Sequence, residues 1–261
     1  MRLNETTYTF LFAGGVCLVC SLLVSTSAVT LRSRQEANKL LDRQEKVLAV
    51  SGLLEEGKHL PAQEVRDLFA KNIQPKIVEL KTGNYVPEDQ IDPATFDQLK
   101  AQADPATSEA APPNDAQVKR VPNNALVYQV VEDGKVTELI LPVEGKGLWS
   151  TLYGYIALSA DTNSIQGLTF YQHGETPGLG GEVDNPRWKA LWKGRKAYDE
   201  SWKPVIRVLK GTAGPPEDAP HEVDGLSGAT LTSNGVTRLL RFWLGDNGFG
   251  PYLKKFREQG S

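Results

Sequence analysis

The sequence predicts an α+β protein, a single N-terminal transmembrane helix followed by a soluble mixed α+β domain. Three observations predict it. Residues 6–31 form a run of 26 residues without a charged side chain, bounded by Glu5 and Arg32. Between residues 126 and 171, short segments rich in β-branched and aromatic residues are separated by turn residues, as strands are. Other segments carry apolar residues at helical spacing.

The uncharged run comes first. About 20 mostly apolar residues cross the hydrocarbon layer of a bilayer, so its length suffices. A cleaved signal peptide is the alternative, with Ser25-Thr26-Ser27-Ala28 as a small-residue cleavage region. The run is long for a signal core, which favours a retained anchor. Arg32, Arg34 and Lys39 follow the span and by themselves favour a cytoplasmic C-terminal side. Both cysteines, Cys17 and Cys20, lie inside the run, three apart on one helix face. They read as small residues at a helix–helix contact, with a redox or metal pair as the alternative. A thiol-free remainder suits an oxidising compartment without requiring one.

The later elements follow in order. Residues 32–50 read as a charged helix with Ala37, Leu40, Leu41, Val47 and Leu48 as its apolar stripe, ended by Ser51-Gly52. A second helix is expected over 61–71, with Val65, Leu68 and Phe69 inward. The low-complexity stretch 101–115 reads as a flexible linker or surface loop. Strands are expected over 126–131 and 136–143, with Asp133-Gly134 between them as a hairpin turn. Two more are expected over 155–159 and 165–171. A Gly/Pro stretch (174–186), a short helix at 188–192 and a strand at 205–209 follow. A Pro/Gly/Asp loop (211–220) then leads to an amphipathic helix over 234–244 and a partly basic tail.

The net charge of −3 provides no general basic surface for nucleic acid. Three histidines, His59, His173 and His221, lack metal-ligand spacing, so no metal site is expected.

The chemistry concentrates in three runs. Asp224-Gly225-Leu226-Ser227-Gly228-Ala229-Thr230-Leu231-Thr232-Ser233-Asn234 precedes a helix. One of its hydroxyls or Asn234 should cap that helix. The functional alternative is a phosphate site, because a helix start offers unpaired N–H groups and a positive dipole end, and Gly228 and Ala229 permit close approach. No P-loop lysine follows, which argues against a nucleoside triphosphate. His173-Gly174-Glu175-Thr176-Pro177-Gly178-Leu179-Gly180-Gly181-Glu182 reads as a Gly/Pro loop. Gly145 to Tyr155 reads as a Gly-flanked aromatic segment entering a strand.

The first run resembles the flavinylation motif of the FMN-binding domain family: Asp-x-x-Ser-Gly-Ala-Thr with a further Thr close behind. The resemblance implies that a flavin transferase, with magnesium, takes FMN from FAD and esterifies its phosphate to Thr230. A threonine hydroxyl needs such help to act as a nucleophile. Ser227, Gly228 and Ala229 would be the small neighbours, Asp224 the recognition or orienting acid, and Thr232 a cap, a phosphate contact or a rival acceptor. The Glu175 to Gly180 run resembles the family's second signature, a loop beside the flavin. Leu179, Gly180 and backbone amides would then wall the ring, with Glu175 and Thr176 making polar contacts. The Gly147-Leu148-Trp149-Ser150 segment resembles that of the C-subunit family of sodium-translocating NADH:quinone reductases, with Leu152 where relatives often carry Met. There Trp149 or Tyr153 would flank the isoalloxazine.

The three ordered runs behind one span extend this resemblance over nearly the whole chain. It implies a membrane anchor (1–32), a helical region and Pro/Ala-rich linker (33–117) and an FMN-binding domain (118–261). It implies an electron-carrying subunit of a translocase of subunits A–F in a bacterial inner membrane. Electrons from NADH would pass through covalent FMN toward quinone, with the soluble domain periplasmic and sodium movement left to partner subunits. The alternatives are the corresponding flavinylated subunit of the ferredoxin:NAD-type complex, or a membrane-anchored FMN-domain regulator or sensor.

Overall fold

The structure is a computed structural model that describes residues 4–55, 57, 58 and 60–259; His59 lies outside the described residues. The chain divides into two compact units, Met1–Arg43 and Gln44–Ser261.

A single helix, α1 (Glu5–Val50), contains both the expected span and the expected charged helix. From residue 16 to residue 51 there is neither Gly nor Pro to interrupt it. From residue 4 to residue 40 the apolar side chains are exposed, Phe10, Leu18 and Leu22 among them. This helix alone among the described residues is long and apolar enough to cross a membrane. Its hydroxyls bond back to the helix carbonyls, Thr9 to Glu5 at 2.9 Å, Ser21 to Leu18 at 2.9 Å and Thr30 to Thr26 at 2.8 Å. Polar side chains inside an apolar run are satisfied internally in this way.

The second unit begins with the last turns of α1, where Val47, Leu48 and Val50 are buried. The helix stops where expected, at Ser51-Gly52: Gly52 takes φ 74° and donates to the carbonyl of Ala49, a conformation that costs glycine little. Next come α2 (Ala62–Asn72), β1 (Ile73–Glu79), β2 (Tyr85–Val86), α3 (Gln98–Ala103), β3 (Ser108–Ala110) and β4 (Arg120–Pro122). A four-strand meander follows, β5 (Asn124–Glu132), β6 (Lys135–Lys146), β7 (Thr151–Ser159) and β8 (Ile165–Gln172). Asp133 and Gly134 have φ 50° and 77°, as a two-residue primed hairpin turn requires. After β8 come a short 3₁₀ helix (Gly180–Asp184), α4 (Pro186–Ala190), β9 (Arg207–Val208), β10 (Glu222–Val223), α5 (Thr230–Trp243) and α6 (Gly250–Gln259).

The main sheet has the order β2-β1-β5-β6-β7-β8 and is antiparallel throughout. β1 was not expected from the sequence. It pairs with β5 over seven residues, from Ile73↔Val130 to Glu79↔Asn124. Residues 73–79 therefore share one sheet with residues 124–172, and the sheet crosses the 117/118 boundary. Residues 101–115 are not a free linker: α3 ends there, and β3 pairs with β4 through Glu109↔Val121.

One sheet face packs on α5, α6 and the turn between them through Leu139, Leu141, Leu152, Ile156, Phe170, Leu239, Trp243, Phe249 and Leu253, all nearly or wholly buried. Each such side chain contributes roughly 1.5–3 kcal/mol of transfer free energy. α5 lies unusually close to β6. A Cβ on Gly145 would stand 2.5 Å from the Cβ of Leu239, and one on Gly235 would stand 2.5 Å from the carbonyl oxygen of Lys146. The opposite face carries a row of aromatic rings, Phe69, Tyr128, Tyr155, Tyr171 and Tyr153, with successive centroids 5.9, 5.9, 5.1 and 6.2 Å apart. The end of α1 also reaches this sheet, leaving so little room at β8 that a Cβ on Gly167 would come within 2.6 Å of the Val50 carbonyl.

Candidate functional site

The site is built on the start of α5. The buried side of this helix is formed by Thr232, Ser233, Gly235, Val236, Leu239, Leu240, Phe242 and Trp243. By helical periodicity Thr230 and Leu231 fall outside that stripe, and both are exposed. Thr230 is the first helical residue. The cap position is Ala229, which makes no side-chain hydrogen bond, so the expectation of a hydroxyl or Asn cap is not met. The reason is local. Ser233 Oγ accepts the Leu226 amide at 3.1 Å, and Thr232 Oγ1 is turned into the protein. The first N–H groups of α5 thus lack a side-chain acceptor, and its first turn contains no acidic residue.

The loop before α5 is held from below. Asp224 Oδ1 accepts the Ala213 amide at 2.8 Å, and the Asp224 carbonyl accepts the Trp188 indole N–H at 2.8 Å. Asp224 therefore fastens the 211–214 loop to the motif. Ser227 and Gly228 are exposed and Ala229 is buried. Gly228 has φ 69°, and a Cβ there would lie 2.9 Å from Leu179 Cδ2. The motif backbone thus rests against Leu179 of the second run.

Glu175 joins the three runs. Its side chain is 5 % exposed. Its carboxylate accepts the amides of Leu148 (3.1 Å), Trp149 (2.9 Å) and Ser150 (3.1 Å) and the hydroxyl of Thr232 (2.6 Å). Burial acts to raise its pKa, but the bonds from Thr232 and the three amides outweigh burial and hold it below the usual glutamate range. Two glycines make room. A Cβ on Gly147 would stand 2.7 Å from Glu175 Oε1. One on Gly180 would stand 2.6 Å from Thr232 Oγ1 and 2.8 Å from Glu175 Oε2.

Several sequence expectations change here. Glu175, expected to make polar contacts with a ring, is enclosed and spends its acceptors on the protein. Thr232, expected as a cap, a phosphate contact or a rival acceptor, is fully buried and bonded to Glu175. Gly180 is buried behind Leu179 and serves as clearance for that pair. Thr176 is exposed, and its carbonyl accepts the amides of Leu179 (3.1 Å) and Gly181 (2.9 Å), shaping the turn. Tyr153 belongs to the aromatic row on the sheet and not to the segment that presents Trp149.

Apolar side chains remain exposed around Thr230: Leu148 at 40 %, Trp149 at 67 %, Leu179 at 44 % and Leu231 at 57 %. In the second unit the other large apolar side chains this exposed, among the described residues, are only Tyr85 and Trp202. A cluster of this kind marks a binding surface. Leu148 and Leu231 were not expected at the site from the sequence, although the apolar Leu231 falls off the buried stripe of its helix. Ser150 was missed as well: its Oγ accepts the Gly174 amide at 2.6 Å. His173 adds a further brace. Its Nδ1 accepts the Glu175 amide at 3.2 Å, so the proton on the other nitrogen, Nε2, faces Asp184 Oδ2 at 2.8 Å. No group of three or more metal-ligating residues occurs among the described residues.

A family model described as an FMN-binding domain matches residues 147–245, a stretch that contains the first two runs whole and the third from Gly147 onward. The C subunit of the Na(+)-translocating NADH-quinone reductase of Pseudomonas aeruginosa is 50 % identical over 258 residues, 98 % of this chain and 97 % of that protein. The protein of the same name from Vibrio vulnificus strain YJ016 is 49 % identical over 248 residues, 94 % and 93 % of the two chains. The crystal structure of Shewanella oneidensis NqrC superposes with a TM-score of 0.76 at 36 % identity, covering 84 % of this chain and 98 % of that one. A helix long and apolar enough to span a membrane, a flavin-domain match and half of all residues shared from end to end place the chain in the NqrC family, the C subunits of Na(+)-translocating NADH-quinone reductases.

Proposed function

We propose that this chain is an electron-carrying subunit of a sodium-translocating NADH–quinone reductase and holds FMN through a phosphoester to Thr230. The names of its relatives support the first part, and the site geometry supports the second. The carrying observation is the exposed Thr230 on the first turn of α5, beside the exposed Leu231, with the exposed Leu179 against Gly228 and the segment of the exposed Leu148 and Trp149 joined to the same turn through Glu175 and Thr232.

The residues fit the group. The unpaired amides of the α5 start and its positive dipole end favour a phosphate. The exposed apolar side chains offer contact to a flat ring, with Trp149 able to stack on it. In attachment, Thr230 Oγ forms a bond to the FMN phosphorus of FAD. The phosphoanhydride bond to AMP breaks, and the hydroxyl proton is lost to a base of the flavin transferase. Bound there, FMN supplies one- and two-electron carrier chemistry. The protein's part is to hold it in place and set the dipoles around it. A covalent tether also prevents dissociation, where reversible binding would depend on flavin concentration. The soluble unit is proposed to be periplasmic despite Arg32, Arg34 and Lys39, because long domains translocate largely regardless of such charges.

The test is a denaturing gel of the full chain purified from its membrane, viewed under ultraviolet light, with intact mass on the same sample. The band should fluoresce and the mass should rise by FMN less one water. Thr230→Ala should abolish both. Retention of the adduct in that variant refutes the assignment. Co-purification with polytopic membrane subunits tests the place in a complex.

A further inference from the structure

We propose that Glu175 is a positioning residue that locks the Trp149 segment to the helix carrying Thr230 and thereby fixes the orientation of the flavin ring. The inference rests on attachment at Thr230. Three features carry it. The carboxylate binds three consecutive amides, those of Leu148, Trp149 and Ser150, and with its second oxygen also takes the Thr232 hydroxyl at 2.6 Å. Thr232 lies two residues beyond Thr230 on α5, so the bond runs from the attachment turn to the aromatic segment through one side chain. The enclosure is specific, since a Cβ on Gly147 or Gly180 would fall within 2.8 Å of a carboxylate oxygen.

The other side-chain bonds of this segment point away from α5. Lys146 Nζ bonds the Trp149 carbonyl at 3.1 Å, and Ser150 Oγ takes the Gly174 amide; neither reaches the helix. A buried, ionised carboxylate with four donors is an expensive arrangement for a mere loop brace, because its charge must be fully compensated. It makes the Trp149 wall and the tether one rigid piece, which a carrier needs if the ring is to keep one distance and one orientation.

The test compares wild type, Thr232→Val, Thr232→Ser and Glu175→Gln in the full chain, each flavinylated in cells that contain the transferase. Covalent flavin is read on a denaturing gel. Ring mobility is read on the folded protein by steady-state flavin anisotropy and iodide quenching. Thr232→Val and Glu175→Gln should retain the adduct but show lower anisotropy and stronger quenching, whereas Thr232→Ser, which keeps the hydroxyl, should match wild type. Native anisotropy and quenching in Thr232→Val overturn the inference, as does an equal change in Thr232→Ser. Thr232→Val carries the test if Glu175→Gln does not fold. A wild-type adduct that survives Thr230→Ala overturns the attachment reading and this inference together. A Thr230-dependent adduct whose mobility ignores Thr232 overturns only the inference.

Discussion

Replacing Gly235 by Ala asks whether the crossing of α5 over β6 sets the site. At an open helix position the change would stabilise by about 1 kcal/mol, the usual advantage of alanine over glycine. Here the added Cβ would stand 2.5 Å from the Lys146 carbonyl oxygen, 3.1 Å from Gly147 Cα and 3.3 Å from the Lys146 carbonyl carbon. The closest of these is about 1 Å short of ordinary contact, and all three atoms are backbone, with no rotamer to move. The helix cannot easily withdraw either. Trp243 Nε1 bonds the Glu144 carbonyl at 2.7 Å, and the Cβ of Leu239 already fills the space over Gly145. Overpacking at such a place costs about 2–3 kcal/mol, the upper part of the usual range. Against the propensity gain the net loss is about 1–2 kcal/mol, or about 2–8 °C in Tm for a domain of this size. Thermal unfolding followed by circular dichroism in detergent measures it, with Gly211→Ala, which has nothing within 4 Å of its Cβ, as the control. Covalent flavin per chain should fall with it, because Thr230 starts the helix that moves. A Tm equal to or above wild type would refute the close-crossing argument.

Two further outcomes are expected. Gly228→Ala forces a side chain into φ 69° and brings its Cβ within 2.9 Å of Leu179 Cδ2; it should lose about 1 kcal/mol and slow flavin attachment, and attachment at the wild-type rate counts against the motif resting on Leu179. Glu138 is pushed up to about 7, by burial first and Glu132 second, against Lys193. The folded protein keeps a proton that the unfolded chain releases near its ordinary value of 4.5, so stability should fall as pH rises from about 4.5 to about 7 and level off above. Glu138→Gln should remove that slope and gain on the order of 1 kcal/mol at pH 8, the figure being reduced for the partial exposure of the group. The same advantage at pH 5 and pH 8 in paired melts would rule out this source.

Much of this protein is legible along the chain because its signals are local. Thr6 to Leu31 reads as a membrane span from length and absence of charge. Asp133-Gly134 reads as a hairpin because two successive positive φ angles suit few residue pairs. The meander strands follow from β-branched and aromatic content between turn residues, and Thr230 stands out only beside a family motif. Other features depend on residues far apart in sequence. β1 contains Pro75 and Lys76 and carries no clean alternation, yet it forms a strand because β5, some fifty residues on, offers it seven partners. Residues 101–115 look like a linker by composition but are held through the pairing of β3 with β4.

The sequence by itself determined the candidate span, the meander and, beside a family motif, the hydroxyl proposed for attachment, since length, composition and a contiguous motif are properties of neighbouring residues. Only the tertiary structure decided what Glu175 and Thr232 do. Both looked like ring or phosphate contacts. A carboxylate accepts bonds from whichever donors the fold brings within about 3 Å, and here those are the amides of residues 148–150 and a hydroxyl 57 residues away.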